Sequence, residues 1–378
     1  MNRKVFALIY AAITLAVMAA AVSTAVTEHR KWPATKEEYE DTVEDALGSW
    51  EGTKEIAGAA HLLLQHDLSY TEGEFIVRTE NNYLLTFYPE VSFNMNRAIN
   101  RIRELKEYCD GLDIPLLCVR FPSKATYSAH SANEYGIRSV DMETRELFLK
   151  RVRKRGIPTL DMNGILKDKG FSEEEVFYRT DHHWKTEMGL IAAREIAGFL
   201  QAETSAEVHP ELLEEELFHR TEYPYQWLGE TGRKVSAVWT GTRDSYTLIE
   251  PDYETSLEYC YPASDVVTEG DFSAFLDHEL LGREPVLYQD SLHYAYMKDA
   301  KAVTTIRNKA GSGARILMIK DSYAVPVAPF LALATGELTC WDMRRNREQV
   351  LGYIGENRFD AVIIAYTDVW RDEMYNFR

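Results

Sequence analysis

RILMIKDSY, Arg315 to Tyr323, sets an apolar run of strand length directly against a polar turn that carries Ser322. Arg315 to Ile319 reads as a strand buried on both faces, because a short continuous apolar run bounded by a turn leaves no polar face for solvent. A helix is expected from about Pro326 to Thr335, with Gly336 as its stop, and ELTCW (Glu337 to Trp341) as the next strand. A further helix, with Asn346 as N-cap and Gln349 in the capping-box position, leads to a last strand DAVIIAY (Asp360 to Tyr366). This βαβαβ order predicts a doubly wound parallel sheet with helices on both faces, an α/β/α architecture. Ligands bind such sheets at the carboxyl ends of the strands, which is where Ser322 falls.

Upstream, Met95, Ile99, Ile102, Leu105 and Tyr108 recur at helical spacing over residues 91–109, and Asp110-Gly111 stops the run before the strand IPLLCVRF (Ile114 to Phe121). A second strand is expected at Ile157 to Leu160. It is followed by a polar stretch carrying Asp181-His182-His183-Trp184, then by a helix on which Met188, Ile191, Ala192, Ile196, Phe199 and Leu200 share one face, with Thr186 as N-cap. Residues 205–300 are rich in Tyr, Trp, Glu and Asp with no clear strand or helix alternation.

A serine hydroxyl becomes a nucleophile when an adjacent base takes its proton and a third group holds that base in one tautomer. Ser322 stands at the sheet's edge beside backbone N–H groups that can stabilise an oxyanion. Asp181 and His183, two apart, place a carboxylate and an imidazole on one side of an extended segment. Three other accounts stay open on these residues. Asp321-Ser322 alone suits an N-cap turn, either histidine alone suits a structural loop, and Asp with two His suits a metal, although the helical spacing of HExxH is missing and no second ligand cluster stands out. No cofactor is expected.

Composition bounds the function from outside. The 378 residues are 45% hydrophobic and 27% charged, enough for a large core, and the net charge of -18 with no Lys/Arg-rich run excludes a nucleic-acid binder. Arg3 and Lys4 precede VFALIYAAITLAVMAAAV (Val5 to Val22), which carries no charge and at ~1.5 Å per helical residue nearly spans a bilayer core. An uncleaved signal anchor over residues 1–27 is expected, with cleavage near Ala19-Ala20-Ala21 as the alternative; both put the rest outside the cytoplasm. Residues 28–69 read as a stalk and leading helix, and 70–378 as the extracytoplasmic domain. Cys109, Cys118, Cys260 and Cys340 lack zinc spacing and are too few for a disulfide framework. Cys118 and Cys340 sit in strand-like runs as core thiols, and a Cys109–Cys118 bridge is an unsupported alternative.

Phe177 to Trp184 (FYRTDHHW), Gly189 in the following helix, and Ile319 to Tyr323 with Pro329-Phe330-Leu331 resemble the DHHW protein family. That family is similar to the SGNH-hydrolase-like acetyltransferases of alginate biosynthesis and, more distantly, to a protein that helps D-alanylate teichoic acids. The resemblance covers about residues 70–378, including Val119 to Lys124 and Asp342 to Arg344. It implies an SGNH-like α/β/α domain with Ser322 as nucleophile, His183 as general base and Asp181 as its orienter. Lys320 departs from the wider SGNH pattern by standing where Gly usually precedes Asp-Ser, and the Asp-to-His spacing is one shorter than DxxH. For oxyanion or substrate contacts, Gly229, Tyr323 and Arg344 are the candidates.

The implied function is an O-acyltransferase that passes an acyl group, acetyl foremost, through an ester on Ser322 to a hydroxyl of a cell-surface polysaccharide. A multispanning membrane O-acyltransferase is the partner such a protein needs, since one span cannot carry acyl groups across a membrane. An esterase with the same triad and a non-catalytic surface-assembly protein are the alternatives.

Overall fold

The computed structural model describes residues 51–88, 93–128, 130, 132–137, 141–261, 266–298, 302–311, 313–346, 349–368 and 371–378. The apolar run Val5 to Val22 lies outside them, as does the expected stalk up to residue 50. Among the described residues no helix is long and apolar enough to cross a membrane.

The chain forms two compact units. In the smaller, a helix over Glu51–Leu63 packs with a short helix over Ala237–Thr240. Glu55 accepts the backbone N–H groups of Ala237 (3.1 Å) and Val238 (2.8 Å), which the short helix leaves unpaired at its start. Trp239 Nε1 donates to the carbonyl of His66 at 2.9 Å.

The larger unit comprises Leu68–Lys234 and Thr242–Arg378. Strands β1 (Leu68–Thr71), β2 (Glu74–Arg78) and β3 (Leu84–Phe87) form an antiparallel sheet. The central sheet holds β4 (Leu116–Phe121) and β5 (Thr159–Asp161). A separate antiparallel ribbon pairs β6 (Phe218–Trp227) with β7 (Asp244–Pro251). The rest of the central sheet is β8 (Leu257–Tyr261), β9 (Val266–Gly270), β10 (Val303–Asn308), β11 (Arg315–Lys320), β12 (Glu337–Trp341) and β13 (Ala361–Thr367). Its order is β5-β4-β13-β11-β12-β10-β8-β9.

From β5 to β12 every pairing is parallel, with Ile364 opposite both Cys118 and Ile319. Side chains alternate across these strands, so the sheet carries two cores. On one face Leu116, Cys118, Leu317, Ile319, Val362 and Ile364 meet helices α1 (Met95–Asp110) and α2 (Asp141–Arg153). On the other, Leu117, Val119, Ile316, Met318 and Ile363 meet α3 (Thr186–Glu203) and α4 (Ala328–Leu333). Helix α5 (Val350–Asn357) returns to the first face through Val350 and Ile354. Burying each such aliphatic side chain contributes about 1.5–3 kcal/mol.

Four expectations need correction. The sheet is mixed, because β10, β8 and β9 extend the parallel strands in antiparallel order, β8 and β9 being drawn from the stretch 205–300 in which no alternation is visible. Helix α3 has Lys185 at its N-cap; Thr186 is its first helical residue, and its hydroxyl sits 3.3 Å from that of Tyr178. Helix α5 starts at Val350, since Asn346 closes a turn by donating to the carbonyl of Asp342 at 2.9 Å. Helix α4 is shorter than expected, running over Ala328–Leu333 after a separate 3-10 turn over Ser322–Ala324. The four cysteines are free thiols, with no Cys109–Cys118 bridge. Burial raises the thiols of Cys109 and Cys340 to about 12 and that of Cys118 to about 11.

At the carboxyl end of the parallel strands, buried Asp368 accepts from Arg120 Nη2 (3.1 Å), Arg145 Nε (2.8 Å) and Thr126 Oγ1 (2.7 Å). Arg145 also pairs with Asp161. The ends of β4, β5 and β13 are thus tied together below the turn that bears Ser322, and removing one partner would strand a buried charge.

Candidate active site

Ser322 leaves β11 on a turn that its neighbour builds. Asp321 Oδ1 accepts the N–H of Tyr323 at 3.0 Å, and Oδ2 accepts that of Thr367, at the end of β13, at 2.7 Å. One carboxylate therefore starts the 3-10 turn and anchors it to the adjacent strand. The Ala324 N–H goes to the Asp321 carbonyl at 3.3 Å. Ser322's own N–H opens the turn, where a helix has no internal acceptor to offer.

Asp181 and His183 sit in a loop closed by an antiparallel bridge between Phe177 and Trp184. Buried Trp184 fixes that loop to the serine turn by donating Nε1–H to the carbonyl of Tyr323 at 2.9 Å, while its ring packs on Phe121. The hydroxyl of Tyr323 donates back to the carbonyl of His182. Gly189, in the first turns of α3, admits Pro326, whose Cβ and carbonyl oxygen would lie 2.8 Å from any Cβ added there.

Within this frame the structure brings Asp181, His183 and Ser322 into one line. His183 Nδ1 is 2.7 Å from Asp181 Oδ1, and Nε2 is 2.9 Å from Ser322 Oγ. An ionised carboxylate only accepts, so it places the proton on Nδ1 and leaves Nε2 to receive the serine hydroxyl. Burial lowers the His183 imidazole well below its ordinary value, against the pull of Asp181, and keeps the ring neutral. Burial alone would raise Asp181; His183 overrides it and holds the carboxyl well below its usual range. Backbone N–H groups of His183 (2.8 Å) and Glu230 (2.5 Å) also solvate this carboxylate.

A second carboxylate, unmarked in the sequence, holds the loop from behind. Asp244 accepts the N–H of Arg179 (2.6 Å), the N–H of Thr180 (2.8 Å) and the hydroxyl of Thr180 (2.6 Å). Gly229 is not brought to the serine. Its N–H donates to Thr180 Oγ1 at 2.7 Å and its α-carbon lies against Asp181, which removes it as an oxyanion donor. Tyr323 loses that role for the same reason, its N–H being held by Asp321, although its side chain faces the cleft.

The hydroxyl opens into a cleft of about 320 Å³ lined by His182, Glu230, Lys234, Tyr294, Arg344 and Arg371, among others. Arg344 reaches it with its guanidinium fixed, Nε and Nη2 donating to Asp342 at 2.9 and 2.6 Å. His183 lies between two other imidazoles, His182 at 3.8 Å and His293 at 3.6 Å between centroids. His293 was not foreseeable, since a lone histidine in residues 205–300 carries no motif.

Asp181, His182 and His183 offer ligand atoms within 4.8 Å of one another. Both nitrogens of His183 and both oxygens of Asp181 already hold hydrogen bonds, so a metal ion would have to break the line to Ser322. The donor set fits proton transfer better than metal binding.

A family described as SGNH hydrolase-like domain, acetyltransferase AlgX, matches residues 86–255, which include Asp181 and His183 and end before Ser322. Among solved structures, Bacillus cereus PatB1 with a sulfonyl adduct is 18% identical with a TM-score of 0.66, over 81% of this chain and 99% of that one. A DHHW family protein from Eubacterium siraeum DSM 15702 is 15% identical with a TM-score of 0.58, over 80% of this chain and 93% of that one. At these identities the structural likeness speaks for the fold. No curated protein matches the sequence.

Proposed function

We propose that this chain, whose SGNH hydrolase-like domain is similar to that of the acetyltransferase AlgX and to a DHHW family protein, is an O-acyltransferase acting through an ester on Ser322. The observation that carries the proposal is the hydrogen-bonded line Asp181–His183–Ser322, buried up to the hydroxyl and opening there into a cleft. Ser322 Oγ gives its proton to His183 Nε2 and attacks the acyl carbonyl of a donor ester. The tetrahedral oxyanion is met by the N–H of Ser322 and by Arg344, whose side chain Asp342 aims into the cleft. His183 returns the proton to the leaving oxygen. In the second half the hydroxyl of an acceptor loses its proton to His183 and attacks the acyl-serine, and Ser322 is released with its proton restored.

The acceptor we assign is a cell-surface polysaccharide and the acyl group acetyl, with a multispanning O-acyltransferase as supplier. The support is the apolar run Val5 to Val22 behind Arg3 and Lys4, a pattern that accords with a domain exported from the cytoplasm and so apart from cytoplasmic acyl donors.

Turnover of a chromogenic acetyl ester, with and without a glycan acceptor, tests this, with acetylated glycan read by mass spectrometry. Ser322→Ala and His183→Ala should lose turnover by about 10³-fold or more. Undiminished turnover in both variants would sink the enzyme role, and release of free acetate with no acetylated glycan would assign hydrolysis instead.

A further inference from the structure

We infer that His293 is a positioning residue of this site, one that holds the nucleophile and the base in fixed relation through a single ring. This rests on Ser322 being the acylated serine. The ring of His293 lies nearly parallel to that of His183, 3.6 Å between centroids at 10°, and its Nε2 is 2.8 Å from the carbonyl oxygen of Ser322. A carbonyl only accepts, so Nε2 carries the proton.

Each contact acts on a different partner. The Ser322 carbonyl also receives the N–H of Val325 at 3.1 Å, so both of its lone-pair directions are filled and the Ser322–Tyr323 peptide plane cannot rotate. Holding that plane holds ψ of Ser322, and with it the placement of the serine's Cα–Cβ bond relative to the turn. On the other side, the flat contact closes the face of His183 opposite His182, leaving the base no room to swing off the Oγ line. Asp181 fixes Nδ1 of His183 within the ring plane, and His293 fixes that plane itself. The His182–His183 pair, His293 and Ser322 come from three segments far apart in sequence, and His293 rides on its own 3-10 turn, Leu292–Ala295. It is buried and does not line the cleft into which Ser322 opens, which is why it positions and does not catalyse.

The groups facing His293 are His183, His182, Asp181, Lys320, Tyr294 and the Ser322 carbonyl. Burial holds its imidazole down at about 4, so it is neutral at neutral pH. A neutral ring does not oppose the imidazolium that His183 becomes during proton transfer, whereas a cation at that distance would.

The two contacts separate by substitution. His293→Phe keeps a flat apolar ring and loses the donor; His293→Gln keeps an amide donor and loses the ring. In full-length protein that retains its circular dichroism, three quantities are measured: the rate of Ser322 labelling by a sulfonyl fluoride, kcat and KM on an acetyl ester, and kcat/KM against pH. Both variants are expected to lose about 10- to 10²-fold in labelling and in kcat at unchanged KM, the range for small misplacement of reacting groups. In His293→Gln the acid limb should move up toward the ordinary histidine value, as water reaches His183; in His293→Phe it should stay. If unsubstituted protein takes no sulfonyl group on Ser322, the acyl-serine role itself falls. If Ser322 is labelled and both folded variants match its rate, kcat and pH limb, only the role of His293 is overturned.

Discussion

The α-carbon of Gly229 lies directly on Asp181: a Cβ built there would come within 2.6 Å of Asp181 Cα and closer still to its N and Cβ. Two main chains pass without room for a methyl group, and the N–H groups of Gly229 and Glu230 consequently reach Thr180 and Asp181. Gly229→Ala is expected to push the Asp181 loop outward, at about 1–3 kcal/mol of stability and up to about 10²-fold in kcat. Thermal unfolding and ester kinetics check both numbers, and a variant with wild-type kcat would show that the loop tolerates the shift.

Asp244 stands one step further from the chemistry. It takes three hydrogen bonds from Arg179 and Thr180, and two of the donors are main-chain N–H groups. Asp244→Asn turns one accepting oxygen into a donor facing those N–H groups, a loss of about 1–3 kcal/mol. Activity should fall through kcat while KM holds, because the residue orients Asp181 and does not touch the cleft. Urea unfolding alongside steady-state kinetics separates the two effects.

How much of this was legible beforehand follows from which segments are buried on both faces. β11, β12 and β13 were placed to within a residue, since a parallel strand between two helical layers is apolar along its whole length and has no competing pattern. Asp181 with His183, and Ser322 after a strand, were legible because carboxylate, imidazole and hydroxyl have a joint chemistry that spacing can suggest. His293 and Asp244 were not, for they act through one ring contact and three main-chain bonds, and neither leaves a periodicity. Residues 205–300 hid β8 because its side chains are only partly buried, and hid the turns at Phe272–Phe275 and Leu292–Ala295 because four residues are too few to show a helical face. Asn346 failed as a helix start because the turn to Asp342 claimed it first.

The pH dependence has a definite sign. The base is neutral His183, and burial lowers its proton affinity in the fold, so activity should persist as pH falls through 6.5 and fail only in a more acid range. Stability runs the other way: unfolded His293 binds a proton near 6.5, whereas the folded residue resists to about 4, so the unfolded state holds more protons between those values. Stability therefore drops as pH falls across that window, by roughly 3 kcal/mol for this residue at the acid end. Urea unfolding at pH 7 and pH 4.5 should show the loss, and His293→Phe should reduce it, leaving the share that buried His183 contributes with the same sign; an unchanged slope in that variant would assign the loss to other groups.

Lys320, the residue before Asp321-Ser322, carries a cost in stability. Its amine is buried with no hydrogen-bond partner among the described residues, and burial lowers its proton affinity. Asp342, the charge that most favours its protonated form, is already taken by both Nε and Nη2 of Arg344. Removing the ammonium therefore leaves no orphaned charge behind, the circumstance in which replacing a buried ion by an apolar side chain of similar length stabilises. Lys320→Met is expected to raise stability by about 1–3 kcal/mol and to leave the His183 to Ser322 geometry intact. Thermal unfolding measures the first and sulfonyl labelling of Ser322 the second. A destabilised variant would mean that Lys320 neutralises Asp342 in a way Arg344 cannot, and labelling slowed in a stable variant would place the amine within the electrostatics of the serine turn.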